Sequence, residues 1–180
     1  MTLGKRKNSK RVLDEHALNT IPTTLIIGYG NPDREDDGVA WHILKGVAGY
    51  FGIRFPESLG EELINFHDKL HFMFNLQLMP EMTSEMSQYE RICFVDAHTG
   101  ALKNDLNIQI LDRKFQNSPL THHMTPQTVL SILESAFNHT PEAILVSVRG
   151  YQFGFANSLS KRTEILAEEA INKISSWIID

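Results

Sequence analysis

The chain alternates short apolar runs with longer amphipathic stretches from residue 23 onward. The runs are rich in β-branched residues and end on turn residues, which is typical of buried strands. One of them alternates apolar and polar positions, as a strand near the edge of a sheet does. The five predicted strands are, in chain order, TLIIG, ELINF, RICFVDA, the alternating run LNIQILD, and AILVSVRG.

Between these runs, apolar residues recur at the spacing of one helix face. Such a stripe extends from Val39 to Phe51, and another helix begins at Thr125 and Pro126, because proline suits a first helical turn. The stretch PEMTSEMSQ and the C-terminal segment supply two more predicted helices. The alternation predicts an α/β fold, a three-layer α/β/α sandwich around a mostly parallel, mixed sheet of about five strands.

Length and composition fit one globular domain. Of the 180 residues, 42% are hydrophobic and 22% charged, so we predict a single α/β domain at 22–180. Residues 1–21 are basic and lack an apolar stretch, so they are predicted to form a flexible tail and not a secretory signal.

Charge and cysteine content narrow the function further. The net charge of −5 argues against a nucleic-acid partner, and the sequence has no run of about 18 apolar residues that would span a membrane. The single cysteine, Cys93, excludes an intrachain disulfide and favours a cytoplasmic location.

The turn after the first strand reads GYGNPDREDDG and crowds acidic residues together. Its glycines do not match the G-x-G-x-x-G pattern of dinucleotide loops, and its acids would repel a phosphate group. Two interpretations remain open, a carboxylate cap on the following helix and a ligand for a cation, and neighbouring residues can do both. Four carboxylates fall within five positions: Asp33, Glu35, Asp36 and Asp37.

Other candidate cation ligands follow later strands. Asp96 ends the run RICFVDA, and His122 and His123 precede the helix that begins at Thr125. Ligands of open α/β sheets bind beyond the carboxyl ends of strands, so these groups can converge with the acidic turn. Carboxylates and an imidazole suit a borderline divalent ion such as Ni²⁺ or Zn²⁺. Cys93, three residues before Asp96, is predicted to face the opposite side and belong to the core.

The stretch HDKLH, residues 67–71, is similar to the zinc-protease motif H-E-x-x-H on a possible helix. Asp68 stands where the motif has glutamate, and its shorter side chain would place a general base differently. Exposed or partly packed histidines are the simpler interpretation.

Five stretches, in order, resemble the hydrogenase maturation endopeptidases, which trim the C-terminus of the [NiFe]-hydrogenase large subunit. The resemblance covers residues 24 to about 178, although 52–75 match nothing in the family pattern. Asp33 and Glu35 replace apolar and small residues that are common in the family, and Ala40 and Trp41 stand where small residues are usual. The five stretches are GYGNPDREDDGVAW, NLQLMPEMTSEMSQYE, CFVDAHTG, THHMTPQTVLSIL and FGFANSLSKRTEIL.

The resemblance implies a hydrolase, an aspartyl-type endopeptidase that activates a hydrogenase. Asp37, Asp96 and His122 would be its metal ligands and catalytic residues. The metal would be nickel already bound in the large-subunit precursor, with zinc or cadmium as replacements, and the precursor would be the partner. Since no serine lies in a G-x-S-x-G elbow, metal-assisted attack of water is the simplest chemistry. Asp36 or His123 would then handle protons.

Two other functions fit parts of the sequence. LIIGYGNP also resembles the start of peptidyl-tRNA hydrolase, but EDDG replaces that family's histidine segment and the net charge is negative. A non-catalytic maturation chaperone that only binds the precursor would keep the ligands without hydrolysis.

Overall fold

A computed structural model describes residues 20–58, 67–112 and 124–180. Two short 3-10 helices, Glu35–Gly38 and Pro80–Met82, each lead directly into an α-helix. The strands are β1 Thr24–Tyr29, β2 Leu70–Asn75, β3 Arg91–His98, β4 Leu106–Ile110 and β5 Glu142–Arg149. The helices are α1 Val39–Tyr50, α2 Thr83–Met86, α3 Pro126–Phe137 and α4 Lys161–Ile179.

The described strands form one five-stranded sheet in the order β2-β1-β3-β5-β4. The first four of these are parallel, and β4 runs antiparallel to β5 at the edge. The predicted mixed, mostly parallel sheet is therefore confirmed, and LNIQI is the edge strand that its alternation indicated.

Helices cover both faces of the sheet because the central strands are apolar on both sides. On one face, Ile26, Cys93 and Val95 pack with α1 and α4, and on the other, Ile27 and Phe94 pack with α2 and α3. The two faces of the sheet are called the α1/α4 face and the α2/α3 face. The three-layer arrangement matches the prediction.

The ends of two helices follow their local sequences. Thr125 accepts a hydrogen bond from the backbone N–H of Thr128 and caps α3, with Pro126 in its first turn, as predicted. Asn138 ends α3 in the left-handed conformation. Ser160 caps α4 in the same way by accepting from Thr163 N–H.

Two sequence predictions change around the second strand. The run ELINF lies outside the described residues, and the strand beside β1 is Leu70–Asn75. HDKLH is not helical: His67 lies in a bend and His71 in β2, where its Nδ1 lies 2.7 Å from the Tyr89 hydroxyl. The helical interpretation of HDKLH was wrong because Leu70 and Phe72 alternate into the core as strand residues.

Residues 1–19 of the predicted tail lie outside the described residues, so the tail stays a prediction. Within the described ranges, no helix combines the length and apolar character needed to cross a membrane.

Candidate functional site

The order of the strands creates a crevice between β1 and β3. From β1 the chain passes through α1 to β2 on one side, and it then returns to β3 on the other side of β1. The connections therefore diverge at the carboxyl ends of β1 and β3, which is where ligands bind in open α/β sheets. Asp37 follows β1, and Asp96 lies near the end of β3.

A close approach of two backbone segments shapes the turn after β1. Gly30 has a φ of 135°, and a Cβ at this position would lie 2.2 Å from the backbone oxygen of Asp37. Only glycine fits this conformation and this contact. The next residue, Asn31, donates its backbone N–H to Asp37 Oδ2 at 3.1 Å and accepts Asp33 N–H at its own Oδ1. Asp37 is thereby oriented by the GNP turn.

Asp36 is buried and binds a different part of the chain. Its carboxylate accepts hydrogen bonds from the backbone N–H groups of Tyr151, Gln152 and Ser160 at 2.7–2.9 Å, and from the Ser160 hydroxyl at 2.8 Å. Burial acts to raise the pKa of Asp36, but these four hydrogen bonds outweigh it and hold the pKa below its usual value. Asp36 therefore anchors the segment 151–160 between β5 and α4.

Glu35 strengthens the same attachment. Its backbone N–H donates to Ala156 O at 2.7 Å, and its Oε2 accepts from Gly154 N–H at 2.6 Å. No side chain caps α1, whose N-cap is Gly38. The helix-cap interpretation of the acidic turn was wrong, because Asp36 binds amides that are distant in sequence.

Asp96 lies on the α2/α3 face of β3, opposite to Cys93, as the alternation predicted. Its Oδ1 accepts the Ala97 N–H at 2.8 Å, and the Tyr29 hydroxyl donates a second hydrogen bond. Burial is the main reason that the pKa of Asp96 is raised to about 7. The two hydrogen bonds lower this pKa, and the negative charge of Asp37 raises it further. Asp37 and Asp96 are therefore close enough for the charge of one to act on the other.

Tyr29, which bonds Asp96, and Cys93, on the opposite face of β3, are both unsuited to nucleophilic chemistry. Burial, followed by the negative charge of Asp96, raises the pKa of the Tyr29 hydroxyl. Cys93 is fully buried, and burial raises the pKa of its thiol far above the usual range. The prediction that Cys93 belongs to the core is confirmed.

His122 and His123 lie outside the described residues, so their part in the site stays a prediction. Met124, the first described residue after them, packs against the α2/α3 face, as does Tyr29. In the described ranges, no three His, Cys, Asp or Glu side chains are arranged to hold a metal ion. Two of the three predicted ligands, Asp37 and Asp96, are described and interact electrostatically.

Sequence reasoning missed several residues that build the site. Tyr29 continues the alternation of Leu25 and Ile27 along β1, so the strand pattern predicts its position on the α2/α3 face. Asn31 before proline is typical of a side chain that hydrogen-bonds its own turn. The bonds from Asp36 to the segment 151–160 had no local signal, since they join residues 115 to 124 positions apart.

Solved structures share this fold. HycI from Thermococcus kodakarensis KOD1, a [NiFe] hydrogenase maturation protease, is 17% identical over 92% of this chain and 98% of its own, with a TM-score of 0.62. The hydrogenase maturating endopeptidase HybD from E. coli is 17% identical over 86% and 90%, with a TM-score of 0.61. A hydrogenase 2 maturation peptidase from a Thaumarchaeota archaeon is also 17% identical, over 86% and 96%, with a TM-score of 0.56.

No family model and no curated protein matches the chain. At these identities the structural likeness defines the fold. The chain has the α/β fold of the hydrogenase maturation proteases, as the sequence motifs indicated.

Proposed function

We propose that this protein is an endopeptidase that removes the C-terminal extension of a nickel-loaded [NiFe]-hydrogenase large-subunit precursor. The observation that carries the proposal is the pair Asp37 and Asp96, which meet at the crevice between β1 and β3. The fold supports it, because HycI from Thermococcus kodakarensis and HybD from E. coli, which share the fold, are maturation proteases.

The proposed role of the carboxylate pair is to recognise nickel that the precursor carries. Asp37 and Asp96, with His122, offer oxygen and nitrogen donors of the kind that Ni²⁺ accepts, and Zn²⁺ or Cd²⁺ would be accepted as substitutes. Asn31 N–H holds the carboxylate of Asp37 by its Oδ2, and Ala97 N–H holds that of Asp96 by its Oδ1. These bonds orient the carboxylates before a substrate arrives. The metal belongs to the substrate in this proposal.

Hydrolysis of the peptide bond requires a polarised carbonyl and an activated water, which a divalent ion in the substrate supplies. Asp36 is unsuited to carry the proton, because backbone N–H groups and the Ser160 hydroxyl already occupy its oxygens. His123, which lies outside the described residues, is then the group left to carry the proton.

The rim of the crevice suits a protein substrate. Large apolar side chains are exposed in the segments that follow β2, β3 and β5, all at the carboxyl edge of the sheet. They are Leu76 at 64% exposure, Leu102 at 39% and Phe155 at 92%. In this proposal these exposed apolar side chains contact the protein substrate.

The test is the intact mass of the large-subunit precursor after incubation with the protein. We expect loss of a C-terminal peptide only when the precursor carries nickel. Asp37→Asn removes a charged ligand while keeping its shape, so we expect cleavage to fall at least about 100-fold, which corresponds to about 2.7 kcal/mol of transition-state stabilisation. Asp33→Asn is the matched control, since Asp33 is an exposed residue of the same turn, and it should cleave like the wild type.

Three outcomes would contradict parts of this proposal. Normal processing by Asp37→Asn would remove Asp37 from the site. Binding of the nickel-loaded precursor without cleavage would instead indicate a maturation chaperone. If the protein neither binds nor cleaves the precursor, a hydrogenase precursor is rejected as its substrate.

A further inference from the structure

Two buried N–H donors near Asp96 have no acceptor among the described residues. They are the Nε2 of His98 on β3 and the Nε of Arg149 on β5. A buried donor without an acceptor costs about 1–3 kcal/mol, so native structures rarely keep one without a water, an ion or a ligand to accept its hydrogen bond. Arg91 Nε and Ser175 Oγ are also buried without a partner among the described residues, but only His98 Nε2 and Arg149 Nε belong to residues that pair on neighbouring strands beside Asp96.

The register of the sheet places both donors beside the candidate site. His98 pairs directly with Arg149 in the parallel β3–β5 ladder, so their side chains leave the same face of the sheet. Asp96 lies two residues before His98 and shares that face. All three residues lie at the carboxyl end of their strands, at the edge where the crevice opens.

The hydrogen bonding of His98 fixes which ring nitrogen carries the proton. The backbone N–H of Gly100 points at His98 Nδ1 at 3.2 Å, so Nδ1 must be the acceptor. In the neutral ring, the proton then lies on Nε2. Nε2 is therefore a hydrogen-bond donor, and its partner has to present an acceptor oxygen.

Arg149 is held in place by contacts of its Nη1 and of its guanidinium plane, and not by its Nε. Its Nη1 donates to Asp105 Oδ1 at 3.0 Å, and its guanidinium lies over the Tyr151 ring at 4.9 Å. On the other side is Gly100, where a Cβ would lie only 3.0–3.1 Å from the guanidinium. Gly100 has a φ of 94°, so a side chain is disfavoured there for two reasons. The same glycine therefore positions both His98 and Arg149.

We propose that His98 Nε2–H and Arg149 Nε–H bind a main-chain carbonyl oxygen of the precursor's C-terminal segment, next to the scissile bond. Both groups are donors, so the ligand is an acceptor, and the carboxylates of Asp37 and Asp96 nearby favour a neutral carbonyl over an anion. His98 and Arg149 are then substrate-binding residues of the peptidase. This inference rests on the proposed function.

The test compares His98→Asn with His98→Gln in cleavage of the nickel-loaded precursor. The asparagine oxygen can replace Nδ1 as acceptor for Gly100 N–H, but its short side chain removes the Nε2 donor. The glutamine amide reaches the position of Nε2 and restores a donor. We expect His98→Asn to raise KM at least about five-fold with kcat nearly unchanged, and His98→Gln to recover most of this loss.

The matched control is His139→Phe. His139 Nε2 has a partner, the backbone oxygen of Tyr89 at 2.7 Å, at the opposite edge of the sheet. This variant should lower the melting temperature by about 2–4 °C and leave KM unchanged. His98→Asn should melt no more than about 2 °C below the wild type, because the donor that it removes makes no hydrogen bond in the free protein.

An unchanged KM in His98→Asn would overturn the inference while wild-type cleavage still supports the proposed function. A drop of more than about 5 °C in the melting temperature of His98→Asn would also overturn it, since Nε2 would then have a structural partner. If the wild-type protein leaves the precursor intact, the proposed function itself is rejected. The wild-type reaction therefore tests the proposed function separately from the variants.

Discussion

Asp36 and Asp37 are adjacent and chemically identical, yet they have opposite surroundings. The carboxylate of Asp36 is buried among hydrogen-bond donors from the segment 151–160. Asp37 is half-buried, accepts one hydrogen bond from Asn31 N–H, and lies beside Asp96. One aspartate therefore stabilises the fold, and the other is available for a ligand.

Asp36→Asn tests the structural role. An asparagine keeps one acceptor oxygen but turns an NH₂ group toward backbone donors, so we expect the free energy of unfolding to fall by about 3 kcal/mol at pH 7. The folded pKa of Asp36 is lowered, so its stabilisation is present above the unfolded pKa and is lost as pH falls through the folded pKa. The gap between wild type and variant should therefore narrow below about pH 4.

Urea unfolding followed by circular dichroism at pH 7 and pH 3.5 measures this gap. Asp33→Asn is again the control and should change stability by less than about 0.5 kcal/mol. A gap of the same size at both pH values would mean that the charge of Asp36 is not the stabilising factor.

Asp96→Asn should raise the free energy of unfolding of the metal-free protein, whereas Asp36→Asn should lower it. The folded pKa of Asp96 is raised to about 7, so its contribution to stability is full below the unfolded pKa of about 3.8 and is lost as pH rises through 7. At pH 8 the wild type buries an ionised carboxylate that the variant lacks. We expect Asp96→Asn to be more stable by about 1–3 kcal/mol at pH 8, with little difference at pH 4.

Chelator-treated protein in denaturant titrations at the two pH values gives this difference, and the precursor assay gives activity alongside. A variant that gains stability while losing cleavage would show that Asp96 is retained for function. Lower stability of Asp96→Asn at pH 8 would contradict the buried, charge-crowded environment described for this residue.

At the scale of elements, the first turn and the segment 151–160 form one unit. Glu35 and Asp36 bind that segment, and Ser160 in turn caps α4. The conformation of Gly30 allows the backbone of Asp37 to approach β1. The site therefore depends on contacts among β1, α4 and the loop between β5 and α4.

Gly30→Ala should disrupt this unit. The added Cβ meets the backbone oxygen of Asp37 in a conformation that L-residues rarely adopt, so we expect a loss of at least about 3 kcal/mol in the free energy of unfolding. Gly49→Ala is the control, because a Cβ there meets nothing within 4 Å in the helix α1. That variant should gain about 0.5–1 kcal/mol. Equal effects of the two substitutions in thermal and urea unfolding would contradict the description of the turn.

At the scale of the whole molecule, the strand order creates the crevice. Local pattern predicted the type and order of most elements, because alternation and helical spacing are properties of short segments. It missed β2, since the spacing of His67 and His71 also suits a helix, although His71 lies in the strand Leu70–Asn75. Which strands are neighbours depends on contacts between distant segments, so β1 between β2 and β3 emerges only in the folded sheet.

The sequence by itself determined the α/β class, the GNP turn with its acidic residues, and the burial of Cys93, because each follows from chain-local geometry or periodicity. Only the tertiary structure decided which aspartate of the turn faces Asp96. Asp36 and Asp37 have the same chemistry, and the choice between them is made by the amides of Tyr151, Gln152 and Ser160, more than a hundred residues away. Long-range hydrogen bonds of this kind leave no trace in local sequence.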